Sequence, residues 1–228
     1  MTNPEGRTTG SHKALVASLV IAVLALGAAA VWFVHSKGSF SHAGSVQAKT
    51  LTAWDRGLGD PKAPVVVIEY ASPQCHHCAR FDMEFFPLLK KKYIDTGKVY
   101  FVLRIFPLSA ADSAAAAIAR CLPQDKYFSF FDLLWRNQAT WDPVDNVPDV
   151  HAGLVTMARK EGMSAERVDS CIGNQGLLQR ISKIGDEGTR KYGIMNVPTF
   201  VINGRPRRFT DDWDAFQNDI DDVVSKNS

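Results

Sequence analysis

The continuous β-branched run Val65-Val66-Val67-Ile68 constrains the fold most. A strand that is apolar on both faces belongs inside a sheet covered on both sides. Asp60-Pro61 and Ala63-Pro64 punctuate the chain just before it, and a short Ser72-Pro73 turn follows. Phe81, Phe85, Leu88 and Leu89 then recur at helical spacing, with Pro87 expected to kink the helix. A second apolar run, Val99 to Phe106, reads as another strand. Strand, helix, strand makes the right-handed crossover of a parallel sheet, so the class is α/β.

From Ser109 to about Thr189 the pattern changes. Ala114 to Ala117, Tyr127 to Trp135 and Val150 to Met157 follow helical spacing, which predicts an all-helical insertion over 109–189. Strand character returns at Thr199-Phe200-Val201-Ile202, Asn203-Gly204 is a strong hairpin signal, and Arg205 to Phe209 supplies the returning strand. A closing helix is expected from about Asp211, capped by Thr210 or Asp211. Phe81, Phe85, Tyr127, Phe130, Phe131 and Trp135 are read mainly as packing residues, with any exposed subset suited to unfolded chains.

Ahead of the folded part, Ala14 to Val34 carries no charge and meets the length of about 20 residues needed to cross a bilayer. The expected organisation is a cytoplasmic segment (1–13), a transmembrane anchor or signal peptide (14–34), a flexible linker (35–50), a first half-domain (51–108), the helical insertion (109–189) and a second half-domain (190–228). An uncleaved anchor is favoured over a removed signal, because the apolar stretch exceeds the about 7 to 15 residues of a signal core. The 26 basic and 24 acidic residues nearly cancel, and the longest basic block is Lys90-Lys91-Lys92. That excludes the electrostatic footprint of a nucleic-acid binder.

The chemistry concentrates at Cys75-His76-His77-Cys78, between the first strand and its helix. Both sulfurs should lie at a helix N-terminus, where free backbone N–H groups and the helix dipole favour an anion. A thiolate is the nucleophile of disulfide exchange, and C-x-x-C thiols at such positions fall to pKa values of about 3.5 to 7.5. Cys75 is the expected attacking and leaving sulfur and Cys78 the resolving one. His77, and secondarily His76, are expected to support the Cys75 thiolate. Cys121 and Cys171 lie in the helical insertion. In an oxidising compartment they are expected to form a structural disulfide, whose loop closure is worth about 4 kcal/mol.

These residues resemble the DsbA-type thiol:disulfide oxidoreductases, in the style of alphaproteobacterial members with a second cysteine pair. The resemblance runs from about Leu51 to Val224. It rests on Gly59-Asp60-Pro61-Lys62-Ala63-Pro64 leading into the first strand, on Glu69 six residues before Cys75, on the helical insertion, and on Val197-Pro198-Thr199. His76 departs from the pattern, which usually has proline there. The resemblance implies a thioredoxin-like fold with an inserted all-helical subdomain, here preceded by an N-terminal transmembrane helix. It implies a cis peptide at Val197-Pro198, with Val197, Pro198 and Thr199 meeting an extended substrate, and a buried Glu69 relaying a proton to Cys78. The implied activity is an oxidase that donates the Cys75-Cys78 disulfide to reduced, unfolded exported proteins and is reoxidised by a membrane quinone-linked partner resembling DsbB. No cofactor beyond that disulfide and no metal is expected, the place of action is the periplasm at the inner membrane, and a monomer is expected. The alternatives are a periplasmic reductase or isomerase, a non-catalytic chaperone, and a module holding copper or zinc on Cys75, His76, His77 and Cys78.

Overall fold

The structure is a computed structural model and describes residues 50–227. The expected transmembrane segment and most of the linker lie outside the described residues. Among the described residues no helix is long and apolar enough to cross a membrane.

Five strands form one sheet in the order β1-β3-β2-β4-β5. They are β1 (Gly57–Leu58), β2 (Val65–Ala71), β3 (Val99–Ile105), β4 (Thr199–Ile202) and β5 (Arg205–Arg208). Strand β2 pairs parallel with β3, from Val65 opposite Val99 to Ala71 opposite Ile105, and antiparallel with β4. Every residue of β2 is buried, as its unbroken apolar run requires. Its side chains alternate between two cores: Val65, Val67 and Ala71 enter one, while Val66, Ile68 and Tyr70 enter the other. Burying a single Val or Ile contributes about 1.5–3 kcal/mol, so this strand anchors the loop that follows it. The two-residue β1, antiparallel to β3, has no counterpart in the sequence reading because it is too short to show a period.

The chain between β2 and β3 is helical throughout but not uniformly α. Helix α1 (His76–Arg80) passes into a π-helical turn, Phe81–Phe85, then α2 (Phe86–Leu89) and a second π turn, Lys90–Ile94. The N–H of Phe86 reaches back five residues to Phe81 O, immediately before Pro87. The wide turn accommodates the proline ring, so the expected kink takes the form of a π bulge.

Six helices fill the chain between β3 and β4: α3 (Ala110–Cys121), α4 (Tyr127–Arg136), α5 (Gln138–Trp141), α6 (Val150–Lys160), α7 (Ala165–Ile172) and α8 (Gln175–Tyr192). This is a thioredoxin-like sheet with a helical insertion. A disulfide between Cys121 and Cys171 ties the end of α3 to α7. Phe81, Tyr127, Phe130, Phe131 and Trp135 are core residues, and only Phe85 of the aromatic set is half-buried. They are packing residues, with Trp135 also reaching the wall of a cleft beside Glu69. On the other face of the sheet α8 comes so close that a Cβ at Gly188 would sit 2.6 Å from the Tyr70 ring.

Two polar features were not legible as such. Arg104 in β3 is buried, yet its guanidinium donates to Asp55 at 2.7 and 2.8 Å, to the Tyr70 hydroxyl at 2.8 Å and to the Thr50 carbonyl at 2.7 Å. The last helix, α9 (Trp213–Ser225), is capped by Asp212, whose side chain accepts from Ala215 N, and not by Thr210 or Asp211. Asp211 is instead a left-handed residue, φ 57°, in the turn that precedes the cap.

Candidate active site

The buried end of β2 delivers the chain through Ser72-Pro73-Gln74 to Cys75, which is itself the N-cap of α1. The Cys75 Sγ accepts the backbone N–H of Cys78 at 3.1 Å and lies 3.6 Å from the carbonyl oxygen of Val197. The Val197-Pro198 peptide is cis, as the resemblance implied. Cys75 is half-buried and Cys78 fully buried, and both are free thiols.

The two sulfurs have opposite tendencies. The Cys75 pKa is lowered, first by the hydrogen bond from the Cys78 thiol and then by the backbone N–H groups of Cys78 and His77, against the opposing effects of burial and of the Asp112 charge. Burial above all raises the Cys78 thiol, and the neighbouring Cys75 and Glu69 charges add to this. The pair is thus polarised into an accessible nucleophile and a buried, protonated partner.

The histidines act differently from expectation. The His77 ring pairs with Asp211 at 3.5 Å and the His76 ring with Asp145 at 3.4 Å, and both rings are largely exposed. What His77 supplies to Cys75 is its backbone N–H, not its imidazole. With the rings turned to two different carboxylates and Cys78 inside the core, the four residues do not converge on one metal ion.

Glu69 lies in β2, almost wholly buried, and its Oε1 has no hydrogen-bond partner. Burial first, then the charges of Asp82 and Cys75, hold its pKa well above the ordinary carboxylate range. It borders a cleft of about 290 Å³ that also contains Asp82, Lys90, Asp132 and Arg136. Asp82 is pushed up to about 8, by burial and then by the hydrogen bond and charge of Asp132. A buried carboxyl whose charged form is disfavoured therefore stands within electrostatic reach of Cys78, with a second such group, Asp82, in the same cleft.

Sequence reasoning missed the polar bracing beneath the loop. Buried Asp112 accepts from Ser72 Oγ at 2.8 Å, Gln74 N at 3.0 Å and Leu108 N at 2.7 Å. The Gln74 side chain donates to Asp142 Oδ1 at 2.6 Å and accepts a short hydrogen bond from Ser109 Oγ. Ser109 is also the N-cap of α3, accepting from Ala111 N and Asp112 N. The Ser109-x-x-Asp112 spacing was the available signal, since a serine followed by an acid three residues on marks a helix start.

Beside the sulfurs a cleft of about 480 Å³ is bounded by His77, Val197, Pro198, Arg208, Phe209 and Asp211. Thr199 does not line it: its hydroxyl donates to Asn196 O at 2.6 Å, and the residue is buried. Cys121 and Cys171 are bonded to each other and offer no free thiol.

A thioredoxin family model matches residues 52–222. Among curated relatives, one of Rickettsia typhi named "Putative protein-disulfide oxidoreductase" is 30% identical over 151 residues, covering 66% of this chain and 55% of its own. The match thus spans about half the length of that relative. Disulfide bond formation protein D of Bacillus subtilis is 24% identical over 168 residues, covering 72% of this chain and 74% of the relative. Among solved structures, Wolbachia pipientis alpha-DsbA1 superposes with a TM-score of 0.72 at 30% identity, over 80% of this chain and 97% of that one.

Proposed function

Because this chain belongs to the DsbA-like branch of the thioredoxin family, we propose that it is a thiol:disulfide oxidoreductase working as an oxidase through Cys75 and Cys78. The observation that carries this reading is the polarised pair: a Cys75 sulfur favoured as thiolate at the cap of α1, over a Cys78 sulfur that burial keeps protonated.

In the oxidised protein a substrate thiolate attacks Cys75 Sγ. The Cys75–Cys78 bond breaks, its electron pair leaves on Cys78, and the buried Glu69 carboxyl supplies the proton that neutralises it. A second substrate thiolate then attacks the substrate sulfur of the mixed disulfide and expels Cys75 as a stable thiolate. The substrate loses two electrons and gains a disulfide, and the enzyme is left as a dithiol. No group other than the cysteine pair carries electrons. Stabilising the Cys75 thiolate favours the reduced enzyme, which makes the disulfide a stronger oxidant.

The substrate segment lies in the cleft bounded by Val197, Pro198 and Phe209, where the Val197 carbonyl already faces Cys75. The exposed apolar side chains of Leu108, Val144 and Met195 suit reduced, unfolded exported proteins. The protein works in the periplasm, held at the inner membrane by residues 14–34, and a membrane quinone-linked protein resembling DsbB returns the pair to the disulfide. The uncharged stretch Ala14 to Val34 supports the anchor, and the Cys121–Cys171 disulfide supports an oxidising compartment.

Trapping tests this reading. In the Cys78→Ser variant of the full chain, Cys75 should accumulate as a mixed disulfide with a thiol peptide supplied as its activated disulfide, while Cys75→Ser should give none. Equal trapping on both variants would contradict the assignment.

A further inference from the structure

The exchange chemistry leaves one cluster beside it unused. His76 Nε2 lies 3.4 Å from Asp145 Oδ1, and one ligand atom each from His76, Asp142 and Asp145 fall within 4.8 Å of one another. Asp142 precedes the 3-10 turn Pro143–Asp145 and caps it, accepting Val144 N. Residues three apart eclipse in a 3-10 turn, which places the two carboxylates on one side. Helix α1 brings the imidazole to them from its first residue.

Asp142 supplies the second, independent observation. It is fully buried; Oδ1 is taken by Gln74 Nε2 and Val144 N, while Oδ2 is buried with no hydrogen-bond partner. A buried carboxylate oxygen in that setting calls for a cation.

We propose that His76, Asp142 and Asp145 form a binding site for a divalent first-row transition-metal ion at the rim of the redox centre. One imidazole and two carboxylates make a borderline donor set that suits zinc and its neighbours better than calcium or magnesium, which take oxygen alone. With zinc bonds of about 2.0–2.2 Å, adjacent ligand atoms of a tetrahedral site stand about 3.4 Å apart. His76 and Asp145 already have that separation, and Asp142, within 4.8 Å of both, has to close by at most about 1.4 Å. Water completes the coordination. Neither cysteine takes part, so the site differs from one built on the four adjacent residues 75–78, and it does not rest on the direction of electron flow.

The test is zinc binding by the full chain with Cys75 and Cys78 oxidised, which removes both thiolates as ligands, measured by competition with a chromophoric chelator. The native chain should bind one zinc that Asp145→Asn and His76→Asn each weaken by at least about tenfold. His151→Asn, which removes the histidine of a separate exposed pair with Asp169, should leave that affinity unchanged. Circular dichroism confirms that each variant is folded. Failure of the native oxidised chain to bind zinc, or binding that survives both Asp145→Asn and His76→Asn, overturns the proposal.

Discussion

Gln74 Nε2 donates to Asp142 Oδ1 at 2.6 Å, joining the residue next to the reactive cysteine to the end of α5 across 68 positions of sequence. Through its Oε1 the same side chain also receives Ser109. One amide therefore clamps the active-site loop to the helical insertion. Gln74→Leu keeps the bulk but strips Asp142 Oδ1 of this donor. We expect a loss of about 1–3 kcal/mol, the cost of leaving buried polar groups unpaired. Urea unfolding of the reduced protein measures it, and an unchanged midpoint would show that the clamp is dispensable.

Asp82 gives a pH dependence of definite sign. Its ordinary pKa of 3.8 is pushed up to about 8, so folding favours the protonated form. The unfolded chain releases this proton near pH 4, whereas the folded chain holds it until about pH 8. The stability due to this group is complete below pH 4 and is lost as pH rises toward 8. Asp82→Asn keeps a donor for Asp132 without the charge. Its stability relative to the native chain should climb between pH 4 and about pH 8, by up to about 6 kcal/mol for a pKa raised from 3.8 to about 8, read from thermal or urea unfolding across that range. A pH-independent difference would mean that Asp82 is already ionised in the fold.

The Cys121–Cys171 disulfide closes a loop with a sequence separation of 50. Loop-closure entropy gives about 4 kcal/mol for such a link, and measured values commonly run from about 2 to 4. The Cys121→Ala/Cys171→Ala double variant should lose stability by that amount and still exchange disulfides at the native rate at temperatures where it is folded. A loss of exchange in the folded variant would make the second pair part of the electron path.

Much of this was legible in the residues, for identifiable reasons. Val65 to Ile68 declared a strand covered on both faces, and the C-x-x-C behind it could only open a helix. The hairpin at Asn203-Gly204 was readable because left-handed turn residues are few, and both have positive φ here. The site was less legible where geometry overrides residue type. The histidines of the motif looked like thiolate partners, yet their rings turn to Asp145 and Asp211, and the Cys78 thiol first, then the backbone N–H groups of Cys78 and His77, favour the Cys75 thiolate. Thr199 follows the cis proline, but its hydroxyl is spent on Asn196. Asp112, Asp142 and Gln74 come from separate stretches of chain, and no local pattern announces that they meet. Arg104 breaks the apolar alternation of β3, and only the folded positions of Asp55 and Tyr70 explain how a guanidinium is buried there.

The reduction potential of Cys75-Cys78, equilibrated against glutathione with Cys121 and Cys171 monitored separately, tests the central claim most directly. A Cys75 thiolate held by the Cys78 thiol and by the amides of Cys78 and His77 stabilises the reduced state, and the account predicts a value near or above about −150 mV, among the strong oxidants. A value below about −230 mV would place the pair with the reductants and contradict the oxidase reading.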